Sequence, residues 1–247
     1  MAELAKAMVL AAGLGRRMGD LSKTTPKPLT MVAGKSLLDR ILAKLLDLDL
    51  APIVVNIHHL ADKIESHLSS YVMRGDVCIS DECDEILETG GGVKKAIPLL
   101  DSEFFVVNSD ILWEDLNPSL NSLKSMQGAW NPEKMDALLL LIPTGVAYGY
   151  EGVGDFFLDE QDAGVGPIRF REEAATSPFM YGGVLIVKSS LYDDMPNGSW
   201  SNREIFKKAQ KAGRLYGIRH QGLWMHVGTE AAIFEAETRL AKMEFVP

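Results

Sequence analysis

The sequence predicts an α/β protein, a three-layer, Rossmann-like domain whose mixed sheet is mostly parallel. Three observations carry this expectation. Short apolar runs alternate with segments of helical period through the first half, the pattern of parallel βαβ units with helices on both faces of a sheet. The first apolar run ends in a glycine-rich loop. Strand-like runs are denser in the second half, so the sheet is expected to become mixed towards the C-terminus.

Each element has its own signal. Lys6–Ala11 is short, apolar and closed by Gly13 and Gly15, which reads as a buried strand. Ser36 followed three residues later by Asp39 opens a helix. In that helix Leu37, Leu38, Ile41, Leu42, Leu45 and Leu46 recur at helical spacing as a wide apolar face. Strands are predicted at Ile53–Ile57, Val77–Ile79 and Phe104–Asn108, and helices at Ala61–Val72 and Gly92–Leu100. Later strands are predicted at Ala137–Ile142, Val165–Phe170, Phe179–Val187 and Leu215–Arg219. Two late helices are expected at Asn202–Ala212 and Glu230–Lys242, the second capped by Thr229. Gly145–Gly166, rich in Gly and Asp, reads as loops around short strands.

Composition narrows the function. The chain has 247 residues, 47% hydrophobic and 24% charged, a soluble globular profile without repeats or a linker. Twenty-five basic against 34 acidic residues give a net charge of −9, which argues against nucleic acid as a partner. Cys78 and Cys83 cannot build a disulfide scaffold or a four-thiolate zinc site, so a reducing cytoplasm is expected. The longest apolar run, Leu138 to Pro143, is too short to span a membrane, and no signal peptide core appears.

The loop Leu10-Ala11-Ala12-Gly13-Leu14-Gly15-Arg16-Arg17-Met18 stands where a βαβ protein places its phosphate loop. Small residues let backbone approach a nucleotide, and the N–H groups can face phosphates. It is not the dinucleotide fingerprint: the next glycine is Gly19, and the second strand ends at Asn56-Ile57-His58 without an acidic residue. It also lacks the Gly-Lys-Ser/Thr of ATPase phosphate loops. Downstream lies Thr25-Pro26-Lys27-Pro28-Leu29, where two prolines are expected to hold the chain extended around Lys27. Arg17 and Lys27 place two cations beside an amide cradle, which suits a triphosphate whose leaving group is pyrophosphate.

With these residues the chain resembles the sugar-1-phosphate nucleotidyltransferases. Their pattern Leu-Ala-x-Gly-x-Gly-x-Arg followed by Pro-Lys-Pro is matched by Leu10, Ala11, Gly13, Gly15, Arg17, Pro26, Lys27 and Pro28. Leu87-Glu88-Thr89-Gly90-Gly91-Gly92 matches the second nucleotide loop, and Val107-Asn108-Ser109-Asp110 the metal-binding strand end. Trp224 to Thr229 matches a Trp-x-Asp-x-Gly-Thr pattern with one departure. The run Glu88 to Gly92 and the compact length are most similar to the N-acetylmuramate-1-phosphate uridylyltransferases of cell-wall recycling. The resemblance implies one nucleotidyltransferase domain over 1–247, with a nucleotide-binding half of about 1–115 and a sugar-binding half of about 116–247. It also implies UTP and a sugar 1-phosphate as substrates.

Roles follow from chemistry and from this resemblance. Arg17 and Lys27 are expected on the β and γ phosphates, with Leu10, Ala12, Gly13 and Gly15 along the nucleotide. Glu88, Thr89 and Gly90 are expected beside the base, the glycines exposing N–H and C=O groups to its edge. Asp110, at the mouth of a parallel sheet, is the expected magnesium ligand. The departure is His226, which stands where the family pattern has an aspartate that supplies the second metal ligand. Imidazole suits zinc, nickel or copper better than magnesium. His226 therefore binds a softer divalent metal or touches the metal through a water, or contacts a phosphate while Asp110 and substrate oxygens hold magnesium, or marks a degraded site. The second account fits best, because magnesium commonly keeps waters.

Relatives hold the sugar phosphate with a lysine after a strand-end glutamate. This chain has Arg169 and Arg171 there instead, and either could take the phosphate bidentately, since strand alternation puts both on one face. Tyr181, Gly182 and Gly183 are expected beside the sugar ring. The favoured reaction is uridylyl transfer to N-acetylmuramate 1-phosphate. Guanylyl transfer to mannose or heptose 1-phosphate is the alternative within the class, and a nucleotide-binding regulator is the alternative outside it.

Overall fold

The structure, a computed structural model, describes residues 4–115, 121–159 and 164–244, except the side chains of residues 16, 17, 20, 21 and 244. In the first half the elements are β1 (Ala7–Leu10), β2 (Met31–Val32), β3 (Lys35–Ser36), α1 (Leu37–Leu46), β4 (Ile53–Ile57), α2 (Ala61–Arg74) and β5 (Val77–Asp81). There follow α3 (Glu88–Ala96), β6 (Glu103–Asn108), β7 (Ile111–Asp115), α4 (Ser122–Ala129), β8 (Ala137–Pro143), β9 (Ala147–Tyr148) and β10 (Phe156–Leu158). The chain continues through β11 (Val165–Phe170), β12 (Phe179–Lys188), α5 (Arg203–Lys211), β13 (Leu215–Arg219), β14 (Gly222–His226) and α6 (Glu230–Glu244).

The main sheet has nine strands in the order β10-β11-β13-β8-β12-β6-β1-β4-β5. Strands β1, β4, β5, β6, β8, β10 and β13 run one way, and β11 and β12 run the other. The register puts Leu10 beside both Asn56 and Asn108, so three parallel strands end level with one another. Ligands of open α/β sheets bind at such carboxyl ends.

Both faces of the sheet are buried, which is why these strands read as unbroken apolar runs. On one face Ala7, Val9, Val55 and Val107 pack against Leu38, Ile41, Leu42 and Leu45 of α1, Ile64 and Leu68 of α2, and Met126 of α4. On the other, Met8, Val54 and Val106 meet Val93 of α3 and Ile205, Phe206 and Ala209 of α5. The start of α1 is as its sequence predicts: the Asp39 N–H donates to Ser36 Oγ at 2.9 Å. At α6 the Ala232 N–H donates to Thr229 Oγ1 at 3.2 Å. Among the described residues no helix is long and apolar enough to cross a membrane.

Two features depart from the sequence expectations. A second sheet, β7-β14-β9, stands beside the first, and His226 of β14 pairs with Ile111 of β7. The second departure is α3, which begins at Glu88 and not at Gly92, so Gly90, Gly91 and Gly92 lie buried inside it. Close packing overrides their poor helix propensity. A Cβ on Gly90 would land in the Trp200 ring, one on Gly91 against the Gly198 carbonyl oxygen, and one on Gly92 2.6 Å from Glu82 Oε1. Relief at Gly91 requires moving backbone. Gly91→Ala is therefore expected to lower stability by about 1–3 kcal/mol, measured as a shift of the urea midpoint.

Candidate active site

Backbone at the end of β1 is fixed from both sides. The Leu10 carbonyl accepts from Ser109 Oγ at 2.6 Å, which ties the first loop to the end of β6. The Ala11 N–H donates to Asn56 Oδ1 at 2.6 Å, and Asn56 Nδ2 donates to Glu82 Oε1 at 2.7 Å. Glu82 in turn accepts from the Leu87 N–H at 3.4 Å. Asn56 and Glu82 are buried. Burial pushes the Glu82 carboxyl up, against the pull of the Asn56 amide and the Leu87 N–H. This relay couples the first glycine loop to the start of α3. Neither residue was visible as functional in the sequence. Asn56 shows only as the polar end of an apolar strand, and Glu82 is one acid in the run Asp81-Glu82-Cys83-Asp84-Glu85.

Lys27 enters from the opposite wall. Pro26 is extended (φ −64°, ψ 138°), but Lys27–Leu29 forms a 3-10 turn, so the lysine leaves a turn and not the fully extended segment its two prolines suggest. The residue is only 7% exposed. Its Nζ donates to Asp110 Oδ2 at 2.9 Å and lies 3.1 Å from His226 Nε2. His226 Nε2 is 3.2 Å from the same Asp110 oxygen. The small sheet brings the imidazole here: β14 pairs with β7, and the Val227 N–H donates to the Asp110 carbonyl at 3.2 Å. Burial works to raise the Asp110 carboxyl, but the His226 hydrogen bond and the Lys27 ammonium outweigh it and hold it well below the usual carboxylate range.

Two cavities meet at this cluster. One, of about 400 Å³, is lined by Leu10, Ala12, Gly13, Gly15 and Lys27 on one side and by Glu88, Thr89 and Ser201 across from them. The other, of about 600 Å³, is lined by Tyr150, Tyr181, Gly183, His226 and Thr229, and both cavities include Asn108 and Asp110. Glu88 adopts a left-handed conformation (φ 55°), which is costly for a residue with a Cβ and is found at constrained sites.

The remaining sequence-predicted residues are placed variously. Arg17 stands in the 3-10 segment after Gly15, and its side chain lies outside the described residues. The expectation that the Gly90 and Gly91 N–H groups face a ligand is corrected, because both donate to the Trp200 carbonyl, at 2.8 and 3.2 Å. Gly182 is buried against Ile142, and its carbonyl accepts from Trp224 Nε1 at 2.9 Å; Gly183, with φ 83°, lines the cavity instead. Tyr181 sets its ring edge-on to Phe206, and burial pushes its phenol up. Arg169 is exposed, with its guanidinium 4.2 Å from the Phe157 ring centroid, and is not brought to either cavity. Arg171 lies past the end of β11, where it donates to the carbonyls of Gly154 and Ala174.

This cleft has known counterparts. The MobA-like NTP transferase domain matches residues 7–124. N-Acetylmuramate alpha-1-phosphate uridylyltransferase of Caulobacter vibrioides is 40% identical over 240 residues, 96% of this chain and 97% of that protein. The chain belongs to the sugar-1-phosphate nucleotidyltransferases. The Neisseria meningitidis protein with the same description is 34% identical over 236 residues, 94% of this chain and 96% of its own. UDP-glucose pyrophosphorylase of Acinetobacter baumannii covers 96% of this chain and 93% of its own at TM-score 0.78 and 17% identity, a likeness of fold. In this nucleotidyltransferase no group of three or more His, Cys, Asp or Glu is gathered as a metal site among the described residues. Asp110 contributes a carboxylate and His226 an imidazole, a pair that by itself is short of a closed metal site.

Because the Asp110 carboxyl is depressed, its pairing stabilises the fold above the ordinary carboxylate range. That contribution is lost as pH falls through the depressed value. The stability difference between wild type and Asp110→Asn, from urea titrations, is expected to be constant near neutrality and to shrink below about pH 4.

Proposed function

We propose that this nucleotidyltransferase joins UTP to N-acetylmuramate 1-phosphate with release of pyrophosphate, in the cytoplasm and in the reuse of cell-wall sugars. The observation that carries the reaction class is the Lys27–Asp110 contact of 2.9 Å where two cavities meet. The descriptions of the two relatives at 40% and 34% identity support the choice of base and sugar. In this proposal the halves of about 1–115 and 116–247 form one domain, the first holding the nucleotide and the second the sugar.

An oxygen of the sugar phosphate attacks the α-phosphorus of UTP. A phosphorus–oxygen bond forms there, and the bond to the β-phosphate oxygen breaks to release pyrophosphate. The attacking group is already an anion, so catalysis consists of positioning and charge neutralisation. Lys27, with Arg17, neutralises the phosphates, and the glycine loop lets backbone lie against them. Asp110, a hard carboxylate, would hold a divalent cation, magnesium by preference, together with substrate oxygens, and that ion would supply further neutralisation of phosphate charge. His226 does not suit magnesium and is assigned to the sugar phosphate as it reaches Asp110.

Lys27→Ala is expected to lower turnover by about two to four powers of ten while circular dichroism remains native; wild-type turnover would remove the role. Pyrophosphate release across four nucleotides and several sugar phosphates should single out UTP with N-acetylmuramate 1-phosphate. GTP with mannose or heptose 1-phosphate as the best pair would overturn the assignment. Nucleotide affinity without release in any combination would point to a regulator.

A further inference from the structure

Helix α5 opens against the nucleotide cleft, because the Asn202 N–H donates to Thr89 Oγ1 at 2.9 Å. The next residue, Arg203, lies with its guanidinium 4.7 Å from the Phe170 ring centroid, so an aromatic face orients it. Its ionic contact among the described residues, to Asp155 Oδ1, is 3.7 Å, longer than a hydrogen bond. The other oxygen of Asp155, Oδ2, accepts from the Tyr181 N–H at 3.1 Å. Arg203 lines a chamber of about 250 Å³ that also holds Thr89, Asn108 and Tyr181, residues shared with the two main cavities. It also lines an outer chamber of about 510 Å³ with Arg171 and Lys207. Arg171 is committed to two carbonyls and Lys207 to Glu204 at 2.8 Å. Arg203 is thus the least committed of these three cations, its side chain 55% exposed where the two chambers adjoin.

N-Acetylmuramate differs from plain N-acetylglucosamine by an ether-linked lactyl arm that ends in a carboxylate. A carboxylate entering a chamber lined by Phe156, Phe170, Phe206 and the Asp155 carboxylate loses hydration beside a like charge and needs a cationic partner. We infer that Arg203 recognises this carboxylate and so sets acceptor specificity. This assignment rests on the uridylyltransferase reading and extends it to a named side chain. Arginine suits the task, since its planar fork matches a carboxylate bidentately while its face stays on Phe170.

The test is steady-state kinetics with UTP and two acceptors that differ only in the arm, N-acetylmuramate 1-phosphate and N-acetylglucosamine 1-phosphate. Arg203→Gln is expected to lower kcat/KM for the first by about ten- to a hundredfold, mainly through KM, and to leave the second within about twofold. Arg203→Lys should fall between wild type and Arg203→Gln. If the plain acceptor turns over too slowly, its inhibition constant against the first replaces its kcat/KM and should not move. Equal losses on both acceptors, or none on either, would overturn the role of Arg203. A wild-type enzyme that uses neither acceptor fails earlier, at the uridylyl reading, and is distinguished by that result.

Discussion

An ammonium and a carboxylate 2.9 Å apart, from residues 83 positions apart in sequence, hold the centre of this molecule. Lys27 is almost wholly buried, and a buried charge is tolerable only with a partner. The level ends of β1, β4 and β6 provide the floor on which the pair forms. The turn after Pro26 lowers the lysine onto it, and the small sheet delivers His226 to the same oxygen. The pair therefore fixes an ammonium and a carboxylate where the two cavities adjoin.

The buried relay from Ala11 through Asn56 and Glu82 to Leu87 does for the backbone what the ion pair does for the charges. Two loops far apart in sequence are registered through side chains that need not touch a ligand. Hydrogen-bonded networks of this kind are firm when every member is satisfied, because each unpaired buried group is expensive. The wall of the cavity beside the glycine loop is therefore rigid backbone, while the other cavity, with Tyr150, Tyr181 and the small sheet, is built from side chains on separate elements.

Much of this was legible in the sequence, for definite reasons. Apolar runs of strand length alternating with helical periods require a sheet covered on both faces, and Ser36 with Asp39 marked the start of α1. The glycine loop and Lys27 are legible from chemistry and spacing, and Asp110 and His226 through the family resemblance; the fold gathers Lys27, Asp110 and His226 within hydrogen-bonding distance. What escaped depends on tertiary contact. Helix α3 runs through three glycines because Trp200 and Gly198 pack against Gly90 and Gly91, a partner more than a hundred residues away. Strand β7 follows β6 so closely that nothing local separates it. Arg169 and Arg171 looked equivalent by alternation, yet β11 ends at Phe170 and the two diverge. Glu82 differs from its acidic neighbours only in being buried.

The Trp200 carbonyl has one more effect. By accepting the N–H groups of Gly90 and Gly91, it places an oxygen lone pair where a helix start would otherwise attract anions. The backbone amides left beside the cavity are those of the first loop, where Gly13 and Gly15 line it with Lys27. The two ends of the cavity thus differ in kind, a helix start already capped by the chain's own carbonyl at one and a glycine loop beside a lysine at the other.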